Sequence, residues 1–118
     1  MGEPERVGLC HCATCRKNTG GPYLAFAVFE VGRVTIEGAL KAHRAPTIDR
    51  RFCPQCGTLI CLAEEGVDEI DLMLGTFDEP PPFTPQYELW VSHRQDWLGA
   101  VPAARQYAGN RDDGAIEG

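Results

Sequence analysis

The sequence predicts a mainly β protein, and three observations support this class. Apolar and aromatic runs of strand length recur along the chain, and Gly and Pro residues separate them. Residues 69–74 alternate charged and apolar side chains, which is typical of a half-buried strand. No stretch has the periodicity of an amphipathic helix longer than about two turns. A chain of 118 residues with these features is long enough to bury a core of its own.

The elements follow in chain order, and turn residues separate them. Gly20, Gly21 and Pro22 precede the first predicted strand, and Gly38 ends the second. A CysProGlnCysGly turn interrupts the middle of the chain, and the prolines of residues 78–82 exclude regular structure there. Trp97 is expected to cover the core. The predicted strands are residues 23–29, 33–36, 51–53, 58–62, 69–74 and 87–91.

Composition predicts one domain, residues 1–108, followed by a flexible, Gly- and Asp-rich tail, residues 109–118. The net charge of −6 argues against nucleic acid as a partner. No apolar run approaches the roughly 20 residues of a membrane span, and no signal-peptide pattern is present, so we expect a cytoplasmic protein that does not bind membranes. In a reducing compartment, clustered cysteines are more often metal ligands or catalytic thiols than disulfides.

The charges and the cysteines are distributed unevenly. Residues 1–61 carry eight Lys and Arg against five acidic residues, whereas residues 62–118 carry three against twelve. All six cysteines lie in the basic half. Nearby Arg and Lys would stabilise ionised cysteine ligands or attract an acidic ligand, although such charges are often only solvated surface groups.

Two cysteine pairs have the spacing of zinc knuckles. Cys12 and Cys15 form one CxxC pair, and Cys53 and Cys56 form the other. Two intervening residues let a tight turn direct both sulfurs at one ion, and Gly57 gives the chain the freedom to leave the second turn. The spacing therefore predicts zinc binding, against the alternative of free, buried cysteines.

Cys10 adds one thiol more than a closed four-ligand site needs. Three thiols from one short segment, Cys10, Cys12 and Cys15, suggest a site whose fourth position serves water or substrate, as catalysis requires. His11 lies between two of these ligands, so we expect it to support the site or face solvent more than to bind the ion. Cys61 lies in an apolar run and is expected in the core, with a ligand role as the alternative.

These motifs together resemble the glutathione-dependent formaldehyde-activating enzyme family, which shares the centromere-protein-V domain. The resemblance runs from about residue 8 to residue 97, through GLCHCATCRKNTGG, RRFCPQCGTLI, GTFDEP and YELW. It implies a β-tent of small antiparallel sheets with zinc-binding cysteine knuckles. It also implies a catalytic or labile zinc on Cys10, Cys12 and Cys15, and a structural zinc on Cys53 and Cys56.

The family pattern completes the structural site with a CxC pair on an earlier strand, and no cysteine precedes Cys10 here. Three alternatives stay open: Cys53 and Cys56 bind with water or Cys61, they merge with the first segment into one four-cysteine site, or the chain starts at a misassigned position. The chain is thus expected to be a shortened member. An unpaired sheet edge left by the missing strand would favour a homodimer.

The resemblance implies a carbon–sulfur lyase that acts on thiol adducts of aldehydes, with glutathione and formaldehyde as reactants. Arg16 and Lys17, directly after Cys15, are the candidates for binding the carboxylates of glutathione. The alternative function is a non-catalytic, zinc-stabilised β-tent module that binds a partner protein.

Overall fold

A computed structural model of the chain describes residues 2–44, 47–111 and 115–116. The chain divides into two compact units. Unit 1 comprises Met1–Arg6 and Phe26–Pro81, and unit 2 comprises Val7–Ala25 and Pro82–Gly118. Each unit is described by itself, and the single domain expected over residues 1–108 stays a prediction.

Within the described ranges the secondary structure is mainly β, which confirms the predicted class. The α-helix α1 spans Ala13–Thr19, and single 3₁₀ turns span Val31–Arg33, Leu74–Thr76 and Val91–His93. No helix among the described residues has the length and apolar character that crossing a membrane demands. The strands are β1 (Arg6–Cys10), β2 (Leu24–Glu30), β3 (Lys41–Arg44), β4 (Ile48–Phe52), β5 (Leu59–Glu64), β6 (Glu69–Met73), β7 (Tyr87–Leu89), β8 (Arg105–Tyr107) and β9 (Ala115–Ile116).

Unit 1 contains an antiparallel sheet in the order β3-β4-β5-β6-β2. The antiparallel pairing of these strands agrees with the expected small antiparallel sheets. Cys61 of β5 pairs with Leu72 of β6 and is 0% exposed, so it packs in the core as the apolar run around it predicts. The buried apolar side chains of this unit are Phe26, Ala27, Val28, Phe29, Cys61, Ile70 and Met73.

One face of this sheet carries charged side chains around a cavity of about 200 Å³. Arg6 donates to both carboxylate oxygens of Glu69, at 3.0 and 2.6 Å. Asp71 lines the same cavity, and burial raises its pKa to about 6. Asp71 is therefore a carboxyl group whose ionisation the fold opposes.

Unit 2 contains the strand order β1-β7-β8-β9. Here β7 pairs in parallel with both β1 and β8, whereas β8 and β9 are antiparallel. In this register Glu88 of β7 lies between Leu9 and Gln106. Two polar side chains, His11 and Glu88, are buried among the apolar ones, which are Val7, Leu9, Cys10, Leu24 and Tyr87.

Two expectations from the sequence are wrong. Residues 33–36 do not form a strand, because the chain makes a 3₁₀ turn at Val31–Arg33 and Arg33 binds Glu5 at 3.2 Å. Trp97 does not cover a core: it is 71% exposed, and its indole N–H donates to Gln95 in the same turn. Its ring is therefore on the surface of unit 2.

The predicted flexible tail, residues 109–118, falls partly outside the described residues, which omit 112–114 and 117–118. At its start, the Gly109 carbonyl accepts from the Trp90 backbone N–H at 3.0 Å, and Asn110 Oδ1 accepts from Trp90 Nε1 at 3.0 Å. The first two residues of the segment thus pack against the turn that follows β7.

Candidate metal centre

The end of β1 and the start of α1 bring three cysteines together. Cys10 is the last residue of β1, and its pairing with Leu89 fixes that end of the strand on β7. Cys12 follows as the N-cap of α1 in an extended conformation, and its sulfur accepts the backbone N–H of Cys15 at 3.4 Å. An N-cap acceptor satisfies one of the free N–H groups of a helix start, so Cys12 both caps the helix and faces Cys15.

The far end of α1 is closed by a glycine. Gly20 has a φ of 71°, and its N–H donates to the Arg16 carbonyl at 2.8 Å. A residue in the left-handed region favours glycine because it has no Cβ. The two-turn helix therefore has a defined start at the cysteines and a defined stop.

The three sulfurs form one compact donor group. Cys10 Sγ and Cys12 Sγ lie 3.4 Å apart, and the sulfurs of Cys10, Cys12 and Cys15 all lie within 4.8 Å of one another. Tetrahedral zinc with Zn–S bonds of about 2.3 Å places its sulfurs roughly 3.8 Å apart. The donor set and its spacing therefore fit a zinc ion. Among the described residues, this is the group of Cys, His, Asp and Glu side chains that could share an ion.

The thiols of this group influence each other's ionisation. The hydrogen bond from the Cys15 thiol, with help from Cys12, lowers the pKa of Cys10 to about 6 although burial opposes this. The same contact, burial and the nearby charges raise the pKa of Cys15. The cluster thus favours ionisation of one sulfur while a neighbour keeps its proton, and a cation would stabilise further ionised sulfurs.

His11 lies between Cys10 and Cys12 in the chain, but its ring contacts Glu88 and does not belong to the ion-binding group. Its Nε2 lies 2.8 Å from Glu88 Oε1, and both side chains are 1% exposed. Its Nδ1 is buried without a hydrogen-bond partner among the described residues. The supporting role that the sequence favours for His11 agrees with this position.

Glu88 is a residue that sequence reasoning missed. Hydrogen bonds from Gln106 Nε2 and the Val101 N–H, both at 2.8 Å, and from His11 lower its pKa, with Arg94 adding to the effect, and together they outweigh burial. Glu88 is therefore held as a buried carboxylate. The YELW segment that supports the family resemblance contains this residue, and a glutamate in a predicted strand was the available signal.

Arg16 and Lys17 lie in the last turn of α1. Arg16 is half-buried and donates Nε–H to the His11 carbonyl at 3.1 Å. Lys17 is exposed. Both cations therefore belong to the helix that carries Cys15, and their binding of glutathione stays a prediction.

Cys53 and Cys56 lie in unit 1, in the turn between β4 and β5. The Cys53 N–H donates to the Thr58 carbonyl at 2.9 Å, and the Gly57 N–H donates to the Cys53 carbonyl at 2.8 Å, with Gly57 at a φ of 78°. Cys56 is exposed, and Thr58, 3.1 Å from its sulfur, lowers its pKa. The turn has the form expected of a knuckle, whereas zinc binding by this pair, alone or merged with the first segment, stays a prediction.

Comparison with known proteins agrees with these motifs. The family model described as glutathione-dependent formaldehyde-activating enzyme matches residues 1–93. An uncharacterized lyase of Schizosaccharomyces pombe is 32% identical over 62 residues, which cover 52% of this chain and 45% of that protein. The chain thus matches less than half the length of this curated relative.

The family match covers most of the chain and includes both cysteine motifs, the strand that contains Glu88 and the turn after it. Because it extends over residues 1–93 of 118, the chain belongs to the glutathione-dependent formaldehyde-activating enzyme family.

Proposed function

We propose that this chain is a zinc-dependent carbon–sulfur lyase of the S-hydroxymethylglutathione synthase type, with Cys10, Cys12 and Cys15 as the zinc ligands. The observation that carries the proposal is the group of three sulfurs within 4.8 Å of one another. Three protein ligands are the number that catalytic zinc sites use, whereas structural sites use four. The family match and the lyase name of the yeast relative support the same reaction class.

The reaction joins a thiol to an aldehyde without any change of oxidation state. The sulfur of glutathione forms a bond to the carbon of formaldehyde, the C=O double bond becomes a single bond, and the thiol proton ends on the oxygen. The reverse reaction breaks the C–S bond, restores the carbonyl group and returns the proton to sulfur. The forward reaction needs an ionised sulfur, since the thiolate is the nucleophile, and in the reverse reaction the sulfur leaves as a thiolate.

The residues of the chain have separable roles in this proposal. The three cysteines bind the ion, and zinc, when bound, lowers the pKa of a thiol that reaches it and polarises a carbonyl oxygen. The Cys15 N–H donates to Cys12 Sγ and holds that sulfur at the start of α1. Arg16 and Lys17 attract the carboxylates of glutathione, Lys17 through its exposed ammonium group.

The test is zinc content together with exchange between formaldehyde and glutathione, measured above the uncatalysed background. We expect Cys10→Ser to lose the zinc of the three-sulfur site, and with it the exchange. Cys61→Ala is the matched control, because it removes a thiol from the core of unit 1 and leaves the three sulfurs intact. Zinc binding and exchange that are unchanged in Cys10→Ser would refute the proposal. Full zinc binding by the wild-type chain without exchange would favour the alternative, a non-catalytic module that binds a partner protein.

A further inference from the structure

The residue between two of the sulfurs is tied down through its backbone. The His11 N–H donates to the Leu89 carbonyl at 3.0 Å, and the His11 carbonyl accepts from Arg16 Nε at 3.1 Å. Both contacts lie within unit 2. Since Cys10 and Cys12 flank His11 in the chain, a shift of its backbone would move both sulfurs.

The side chain of His11 is fixed as well. Its Nε2 lies 2.8 Å from Glu88 Oε1, and Tyr23 packs against the ring edge to face, with centroids 5.6 Å apart. The His11 and Glu88 side chains are each 1% exposed, so neither can meet a substrate in solution. This pair can therefore affect the three-sulfur site only by fixing the position of the backbone.

The second oxygen of Glu88 is also occupied. Glu88 Oε2 accepts from the Val101 N–H at 2.8 Å and from Gln106 Nε2 at 2.8 Å, and Arg94 NH2 lies 3.4 Å away. These three donors lie in residues 94–106, which follow the segment matched by the family model. This carboxylate therefore joins the segment that bears the cysteines to the later part of unit 2.

A pair buried this deeply is a poor source of stability. Moving ionisable groups out of water is costly, and apolar side chains of similar volume often serve stability equally well. What a buried pair with several hydrogen bonds does provide is one defined geometry. In metal sites, partners outside the ligand shell orient the ligands, and their loss typically weakens metal binding by about 10–100-fold.

We infer that Glu88 is a positioning residue that acts through His11 to hold the sulfurs of Cys10 and Cys12 in their ion-binding arrangement. The inference deepens the proposed function and rests on it for the identity of the site. Glu88 does not touch the ion or the reactants, so its loss changes the arrangement of the sulfurs and leaves their number unchanged.

Glu88→Gln tests this with little change of shape. Glutamine keeps one acceptor oxygen and replaces the other by an NH₂ group, which donates. The hydrogen bonds that His11, Val101 and Gln106 can donate to the carboxylate therefore cannot all persist in their original direction. We expect zinc affinity, measured by competition with a chromophoric chelator, to fall by about 10–100-fold. We also expect the sulfur-to-cobalt charge-transfer bands of the Co²⁺-loaded variant to shift. Glu69→Gln is the matched control, because it changes a carboxylate that accepts two hydrogen bonds from Arg6 in unit 1.

A double-mutant cycle separates positioning from a general loss of structure. If Glu88 acts through His11, His11→Gln/Glu88→Gln binds zinc no more weakly than His11→Gln alone. Wild-type affinity and wild-type Co²⁺ bands in Glu88→Gln, or losses that simply add in the double variant, would overturn the inference. Should Glu88→Gln fail to fold by circular dichroism, His11→Gln alone is decisive, because it removes the imidazole through which Glu88 acts. Unchanged zinc affinity there would also overturn the inference.

The two proposals can fail separately. A wild-type chain that binds zinc but does not accelerate exchange refutes the proposed function, while the affinity and cobalt measurements still decide the role of Glu88. If the wild-type chain does not bind zinc, the alkylation rate of Cys12 in metal-free protein decides the role of Glu88. We expect that rate to differ between Glu88→Gln and wild type, and equal rates would overturn the inference.

Discussion

His11 Nε2 lies 2.8 Å from Glu88 Oε1, although 77 residues separate them in the sequence. The parallel pairing of β1 with β7 brings them together, because it aligns Leu9 with Glu88 and Cys10 with Leu89. The strand that ends in the first cysteine thus runs beside the strand that supplies the carboxylate. The pairing of β1 with β7 thus positions both the first cysteine of the three-sulfur group and the buried His11–Glu88 contact.

The role of Cys53 and Cys56 can be separated from that of the three-sulfur group. We predict that Cys53→Ser/Cys56→Ser loses part of the bound zinc but keeps exchange between formaldehyde and glutathione. The reason is that the proposed catalytic cysteines lie in unit 2, whereas this pair lies in unit 1. Zinc content by atomic absorption and exchange kinetics on the same samples check it. A folded double variant that keeps all its zinc, or loses exchange as fully as Cys10→Ser, would contradict the prediction.

Removal of zinc should destabilise the folded state. A ligand that binds only the folded chain, at a free concentration 100 times its dissociation constant, stabilises it by about 2.7 kcal/mol. We therefore expect EDTA to lower the melting temperature of Cys53→Ser/Cys56→Ser, in which Cys10, Cys12 and Cys15 are the remaining site. Adding Cys12→Ser to that variant should abolish the effect. An EDTA effect of equal size in both variants would show that it does not come from the three-sulfur group.

The sequence predicted the elements whose signals are local. The alternation of residues 69–74 gave β6, observed as Glu69–Met73, and the apolar run of residues 23–29 gave β2, observed one residue later as Leu24–Glu30. The three-sulfur group was predictable for the same reason, because Cys10, Cys12 and Cys15 lie within six residues of one another. A short spacing in the sequence directly limits how far apart the three sulfurs can lie.

What the sequence did not reveal depends on distant contacts. The strand β3, Lys41–Arg44, is exposed along its whole length and has no apolar pattern from which a strand could be predicted. The expected strand over residues 33–36 is absent, because Arg33 binds Glu5 and its guanidinium lies 5.5 Å from the centre of the Phe29 ring. Glu88 needed the β1–β7 register before its partner could be identified.

Asp71 should make stability depend on pH. Burial raises its pKa from 3.8 to about 6, with Arg6 opposing the shift and Glu69 adding to it. Because the folded state binds this proton more tightly than the unfolded state, the contribution to stability is present below pH 3.8 and is lost as the pH rises through 6. A shift of this size corresponds to about 3 kcal/mol.

We predict that Asp71→Asn is more stable than wild type at pH 7, by up to about 3 kcal/mol, and that most of the difference disappears near pH 4. Urea unfolding at several pH values checks it. Asp49→Asn is the control of opposite sign, because Arg44 lowers the pKa of Asp49 and its charge is favoured in the folded state. A stability difference for Asp71→Asn that does not vary with pH would contradict this account.

Lys17 should contribute to binding of the anionic thiol without affecting the chemical step. The residue is exposed on the helix that carries Cys15, so its ammonium group can attract the carboxylates of glutathione but is screened by solvent and salt. Exposed charge pairs contribute about 0.2–1 kcal/mol, so we expect Lys17→Gln to raise the KM for glutathione by no more than about fivefold, with kcat unchanged.

A neutral thiol separates charge attraction from a change in the site itself. With 2-mercaptoethanol in place of glutathione, Lys17→Gln and wild type should have equal kinetic constants, because no carboxylate is present to attract. The difference with glutathione should shrink as salt is added, since screening weakens exposed charge interactions. Lys41→Gln, which removes an exposed ammonium group from β3 in unit 1, is the matched control and should not alter either KM. A Lys17→Gln effect of equal size on both thiols would show that Lys17 shapes the site and does not act by charge.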